Sequence, residues 1–372
     1  MSAASDALAV APADHHIIDL FAGPGGLDVA ASWCGIPSTG VEWDKGACAT
    51  RKAALIDTRN KDVRELSEAG FRHADILAAG PPCQTFTVAG SGAGRRALDL
   101  VLSLVKRMSA GEDVSRDLGE LSDERTGLVL EPLRWALDAY RSDHPFQTII
   151  LEQVPAVLPV WEAYEEALDG LGYKTTTKVL RTEEYGVPQT RKRAILIASL
   201  NIQPILPKPT HQSFSRSGKG PTESRGLPWK SIADALSLLP GGDRTYPFEV
   251  VSNYGSGGDP KARGRRLSTE PSATVTGKVT RNRIVDHLGV HRDRLSHSES
   301  GLLQTFPHDF PWSGTDIGQQ IGNAIPPRLG AQVIAAALGF AIDPKALDNV
   351  VALPWTQSHG ALTTKPEPVT PR

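Results

Sequence analysis

The chain has 372 residues, 40% of them hydrophobic and 22% charged, with a formal net charge of −2. That length is enough for one large domain or two modest ones. No apolar run approaches the roughly 18 residues of a transmembrane helix, so no membrane association is expected. Cys34, Cys48 and Cys83 form no CxxC pair and the ten histidines show no metal-ligand spacing beside them, so neither a disulfide framework nor a metal site is expected. Residues 1–14 have no basic start and carry Asp6 and Asp14, which fits a disordered tail rather than a signal peptide, and a cytoplasmic home.

Charge is unevenly spread. Residues 201–298 hold 15 Lys plus Arg against 8 Asp plus Glu, a net of +7, and the remainder holds 25 against 34, a net of −9. A basic segment inside an acidic chain suits a local polyanion contact. A solvated, loop-rich face explains the charge alone equally well.

In chain order, His16 to Phe21 reads as a strand, Gly23-Pro24-Gly25-Gly26 as a tight turn, and the residues through Trp33 as a helix. A second strand, Thr39 to Glu42, precedes a helix from Asp44 to about Ile56. Asp75 to Ala79 is a short strand ending at Gly80-Pro81-Pro82. Residues 87–97, rich in Gly, Ser and Arg, read as a mobile loop. Helices follow at Leu128 to Arg141 and Trp161 to Leu171, with a buried strand at Gln147 to Leu151 between them. Tyr173 to Leu180 and Arg193 to Ser199 read as strands. The alternation predicts a doubly wound, Rossmann-like α/β sheet over residues 15–200. Residues 201–265 lose periodicity except for a short helix near Trp229 to Leu239. They predict the core of a small, loop-rich second domain extending to residue 317. Helical spacing returns at Pro327 to Phe340, so residues 318–342 complete the first domain. The prolines of residues 353–372 predict a disordered tail.

Five segments carry chemistry. Asp19-Leu20-Phe21-Ala22-Gly23-Pro24-Gly25-Gly26 places glycines between strand and helix, where the backbone can approach a ligand and helix amides can meet an anion. It departs from GxGxxG, because position 28 is Asp. Glu42 closes the second strand, where an acid can hold a ribose. Gly80-Pro81-Pro82-Cys83-Gln84 follows a strand, and its prolines restrict the cysteine's backbone. Its thiol needs a positive environment to become a nucleophile. Glu152-Gln153-Val154 and Gln189-Thr190-Arg191-Lys192-Arg193 also lie at strand ends, with Arg191 and Arg193 on one face by alternation. Gln319-Gln320-Ile321-Gly322-Asn323-Ala324-Ile325-Pro326-Pro327 feeds the last helix.

Each segment taken alone also reads as an ordinary turn or helix start. In this order, over roughly residues 15–341, they resemble the DNA cytosine-5 methyltransferases of bacterial restriction-modification systems. The resemblance implies an S-adenosylmethionine-dependent fold with a target-recognition region at about 201–265. Phe21, Gly23, Gly25, Gly26 and Pro81 would line the cofactor, Glu42 would hold its ribose, and Asp62 with Val63 would meet its adenine. Asn323 would close the cofactor site toward the second domain. Cys83 would add to carbon 6 of a flipped cytosine, Glu152 would act at ring nitrogen 3, and Arg193 would bind the ring carbonyl. Arg191 would support Cys83, the substrate or a phosphate. Arg95, Arg96, Asn253, Tyr254, Arg263, Arg265 and Arg266 are the implied DNA contacts. The family's usual Glu-Asn-Val is Glu-Gln-Val here, so the hydrogen bonds of Gln153 are expected to shift.

The expected partner is double-stranded DNA, with a monomeric, nucleoid-associated enzyme and a separate cognate endonuclease. RNA cytosine-5 methylation on the same fold is the alternative.

Overall fold

The computed structural model describes residues 14–82, 92–121, 123–216, 226–241, 244, 246–252 and 264–363. Strands β1 (Ile17–Leu20), β2 (Ser38–Glu42), β3 (Thr58–Asn60), β4 (Ile76–Ala79) and β5 (Thr148–Gln153) run parallel. Then come β6 (Lys174–Arg181), the two-residue β7 (Gln189–Thr190) and β8 (Lys192–Ser199). β8 inserts antiparallel between β5 and β6, giving a seven-stranded sheet of order β3-β2-β1-β4-β5-β8-β6. β1 and β4 are buried along their whole length, as expected of parallel strands covered on both faces.

Two apolar layers cover the sheet. On one face α3 (Gly92–Ser109), α6 (Glu131–Arg141) and α7 (Leu158–Asp169), with the short α4 (Ser115–Gly119) and α5 (Arg125–Leu128), bury Val101, Leu104, Trp135 and Trp161. On the other, Trp33 of α1 (Gly26–Trp33) joins Val333, Leu347 and Trp355 in one apolar cluster; α2 (Lys45–Ala53) follows β2.

The smaller sheet is antiparallel, of order β10-β9-β12-β13, from β9 (Phe248–Val251), β10 (Arg265–Leu267), β12 (Arg283–Asp286) and β13 (His291–Arg292). Its core joins Phe248, Val250 and Ile284 to Ile232 of α8 (Ile232–Leu236), Leu302 of α9 (His297–Leu302) and Ile321 of α10 (Ile317–Asn323). Ser231 and Ser296 start α8 and α9 with reciprocal capping boxes, each satisfying two otherwise orphaned amides. The sheets meet where β11 (Ser272–Ala273) pairs in parallel with β7. Close by, Gly322 lies against the backbone of Thr276 and Gly277, so near that a Cβ would collide with both. The chain returns to the large sheet in α11 (Pro327–Ala337) and α12 (Pro344–Val351).

Two expectations are corrected. Residues 92–97 belong to α3 rather than to a loop; burial of Val101, Leu104, Val105 and Met108 at helical spacing holds that helix on the sheet. Residues 353–363 are not a disordered tail. Trp355 is 6% exposed, its indole Nε1 donates to the Ala54 carbonyl at 3.0 Å, and its backbone N–H donates to Asp309 at 2.7 Å. Residues 1–13 and 364–372 lie outside the described residues.

Candidate active site

β1 and β4 are neighbours, and the chain winds away from them in opposite directions. Ligands of open α/β sheets settle beyond the carboxyl ends of the strands at such a reversal. A cavity of about 1190 Å³ opens there. Its walls come from the ends of β1, β2, β4 and β5, the start of β8, residues 277–281 beside the smaller sheet, and residues 314–325.

The first wall is the β1–α1 turn. Phe21 is held at φ 61°, an unusual backbone for a residue with a side chain, and it lines the cavity with Gly23 and Gly26. A Cβ at Gly23 would meet nothing within 4 Å, whereas one at Gly26 would run into the Ile325 carbonyl. Gly25 is not a cavity wall; it is the αL residue at φ 104° that turns the chain into α1. Asp28 occupies the place of a third glycine, and the structure gives the reason. Its carboxylate sits in the first turn of α1 and receives both terminal nitrogens of the fully buried Arg51, at 2.6 and 3.1 Å.

Glu42 lies at the end of β2, 9% exposed. Its carboxylate accepts from the backbone N–H of Gly23 at 2.7 Å and of Trp43 and Asp44 at 2.8 Å each. Burial raises its pKa, and these three donors oppose that rise. Asp62 and Val63 also line the cavity. Asp62 starts a single helical turn and pairs with Arg64 at 2.6 Å, which holds its carboxyl below the usual range. Among the cavity residues not singled out from sequence is Trp43, an aromatic 63% exposed; Asp19, which opens the first motif, is a wall residue 5% exposed. The position of Trp43, directly after a strand-ending acid, was the available signal.

Across the cavity stand Gly80, Pro82, Glu152 and Arg193. The antiparallel register of β5 and β8 sets Gln153 opposite Ala194, which brings Glu152 and Arg193 together as an ion pair at 2.5 Å. Their side chains are 13% and 11% exposed. Burial lowers the pKa of Arg193, and Glu152 acts against it. Gln153 keeps an amide's work: its Nε2 donates to the Pro81 carbonyl at 2.5 Å, and its Oε1 accepts from Val154 N–H at 2.5 Å. Pro81 is buried behind the wall rather than in it. The chain passes from Pro82 directly to Cys83, which lies outside the described residues, as do Asn253, Tyr254 and Arg263.

Arg191 requires a correction. It does not share the cavity face of Arg193. It is 1% exposed and donates to the carbonyls of Val275 at 2.9 Å, Gly322 at 2.8 Å and Ala324 at 3.3 Å. Gln189 and Gln304 extend this buried junction through a bond of 2.7 Å. Asn323 lines the cavity and accepts from Gln319 at 2.6 Å. Of the expected DNA contacts, Arg95 and Arg96 are exposed on α3. Arg265 pairs with Glu249 at 2.6 Å, and Arg266 lies over the Phe214 ring at 4.8 Å.

Residues 15–106 and 147–224 match the family model described as C-5 cytosine-specific DNA methylase. These matches support the C5 DNA methyltransferase family for this chain. It is an enzyme that methylates carbon 5 of cytosine in DNA, with S-adenosylmethionine as the family's methyl donor. This cytosine-5 methylase is 29% identical to the type II methyltransferase M1.HphI of Haemophilus parahaemolyticus over 86% of each chain. It is 27% identical to M.AplI of Arthrospira platensis, over 88% of this chain and 87% of that one. In fold it is similar to the Dnmt2 methyltransferase of S. pombe, with a TM-score of 0.58 at 16% identity, covering 87% of this chain and 98% of that one. No helix among the described residues is long and apolar enough to cross a membrane.

Proposed function

We propose that the methylase acts on a cytosine flipped out of duplex DNA through a covalent bond from Cys83, and that it is the modification enzyme of a restriction-modification system. The observation that carries the chemistry is the Glu152–Arg193 pair at the cavity wall, with the β4 loop leading into Cys83 beside it. The pairing edge of cytosine presents a carbonyl oxygen next to a ring nitrogen. A guanidinium beside a carboxyl group matches those two positions.

The Cys83 thiolate adds to carbon 6 of the ring. Arg193 holds the carbonyl oxygen and Glu152 delivers a proton to nitrogen 3, so the added electron pair is carried to carbon 5 as an enamine. S-adenosylmethionine supplies an electrophilic methyl group on a sulfonium. Carbon 5 bonds to that methyl as the methyl–sulfur bond breaks and leaves a neutral thioether; carbon 5 then loses its own proton to a base, nitrogen 3 returns its proton to Glu152, and the Cys83–carbon 6 bond breaks to release 5-methylcytosine. The cavity fits the donor: Gly23 opens onto free space, Trp43 presents an exposed ring for a flat base, and Glu42 keeps oxygen lone pairs for a diol. Asp62 and Val63 would stand at the adenine, and Asn323 and Gly26 would close the site. The type II methyltransferases to which the chain is similar support the restriction-modification setting; a separate endonuclease and a monomeric methylase complete the proposal.

Transfer of labelled methyl groups to unmethylated duplex DNA and to RNA tests the reading. Label is expected in duplex cytosine only, lost in Cys83→Ala, with a trapped covalent complex on 5-fluorocytosine DNA. Label in RNA alone would overturn the substrate.

A further inference from the structure

A second hollow, of about 300 Å³, lies outside the catalytic cavity. Arg181, Lys192, Arg216, Arg266, Phe214 and Glu183 are among its walls. It forms where β6 and β8 meet the smaller sheet. Arg181 and Lys192 are direct partners across the β6–β8 ladder. Side chains opposed in that way share a face at about 5 Å, and like charges so placed repel. An anion seated between them removes that cost.

The other two cations are held in place rather than loose. The Arg266 guanidinium lies 4.8 Å above the Phe214 ring and donates to the Thr190 hydroxyl at 3.1 Å. Phe214 in turn stands edge-on to Trp229, with centroids 5.3 Å apart. Arg216 pairs with Glu270 at 3.1 Å. Against four cations the wall offers one acid, Glu183, which is 3% exposed and 3.9 Å from Arg181. Burial raises its pKa.

Position identifies the anion. Lys192 precedes Arg193 in the chain, and neighbouring strand residues face opposite sides, so the hollow lies one residue from the guanidinium that meets the base. β10 brings Arg266 from the basic span 201–298. We propose that this hollow seats a backbone phosphate of the duplex whose cytosine enters the cavity. The proposal rests on the reading of the chain as a DNA methylase. Such a contact sets register without reading sequence.

The test uses the full-length chain and a fluorescent duplex of mixed sequence, titrated over a salt series. Arg181→Ala and Lys192→Ala are made singly and together, with Lys192→Arg as the conservative control. Each of the single alanine variants is expected to lower the slope of log K against log salt by about 1, equally on unrelated duplexes. Lys192→Arg is expected to keep it. S-adenosylmethionine affinity and turnover at saturating DNA should stay near wild type, with KM for DNA raised. An unchanged slope in the double variant, or weakening on one sequence only, overturns the proposal. A wild-type chain that neither binds nor methylates duplex DNA overturns the functional reading instead, and the phosphate seat with it.

Discussion

Glu152 and Arg193 depend on one another. Each is nearly enclosed, so removing either leaves a buried charge without its counter-ion, at a cost of about 3–5 kcal/mol for such pairs. Glu152→Gln keeps the shape and a hydrogen-bonding oxygen but cannot deliver a proton. It is expected to reduce turnover by about 10²–10⁴-fold while leaving donor binding near wild type, as read by single-turnover methyl transfer and by calorimetry. Equal loss of donor affinity would place Glu152 in the donor site instead. Asp28 and Arg51 form a second enclosed pair, under the glycine turn. Asp28→Ala should destabilise the fold by a similar few kcal/mol in urea and weaken S-adenosylmethionine binding through the turn. The identity of Asp28 was plain in the sequence as a departure from GxGxxG. Its purpose was not, because Arg51 comes 23 positions later, from another helix. Arg191 was misread for a related reason: alternation gives the side of a strand, but the carbonyls that capture this guanidinium come from residues 275, 322 and 324.

Helix α3 shows what local composition hides. Its Gly-, Ser- and Arg-rich beginning reads as a loop, while the apolar spacing that anchors it appears only further on, at Val101, Leu104, Val105 and Met108. The smaller sheet was illegible for another reason: its strands are two to four residues long, too short for alternation to emerge. By contrast β1, β4 and β5 are apolar runs, and the candidate-site motifs hang from their ends, so the frame of the cavity was readable. The segment between the two sheets carries its own titration. His211 is 3% exposed, and burial, with Arg328 and Lys230 nearby, pushes its pKa down to about 4 despite Asp348. The depressed value favours the neutral ring in the fold. Its contribution is complete above pH 6.5 and is lost as pH falls from 6.5 toward 4, on the order of 3 kcal/mol. His211→Gln is expected to flatten the stability–pH curve across that window; a curve as steep as wild type would reassign the acid sensitivity.

At the scale of the molecule, one cavity takes its walls from the large sheet, from residues 277–281 beside the smaller sheet, and from the segment leading to α11. On the proposed function donor and flipped base share it, and each should bind better once the other has fixed its walls. S-adenosylhomocysteine is expected to tighten duplex binding by about 5-fold or more, measured by anisotropy. Independence of the two affinities would show that the walls are already set. The contact of Gly322 with Thr276 and Gly277 bears on how this enzyme could acquire a different target. Two bare backbones touching leave no room for a side chain and tolerate little change in path. A recognition segment exchanged with a relative should therefore be spliced upstream of β11, leaving residues 272–277 and 317–324 native. Hybrids cut inside that seam are expected to lose methylation of every sequence, whereas hybrids cut outside it keep the chemistry and change its address.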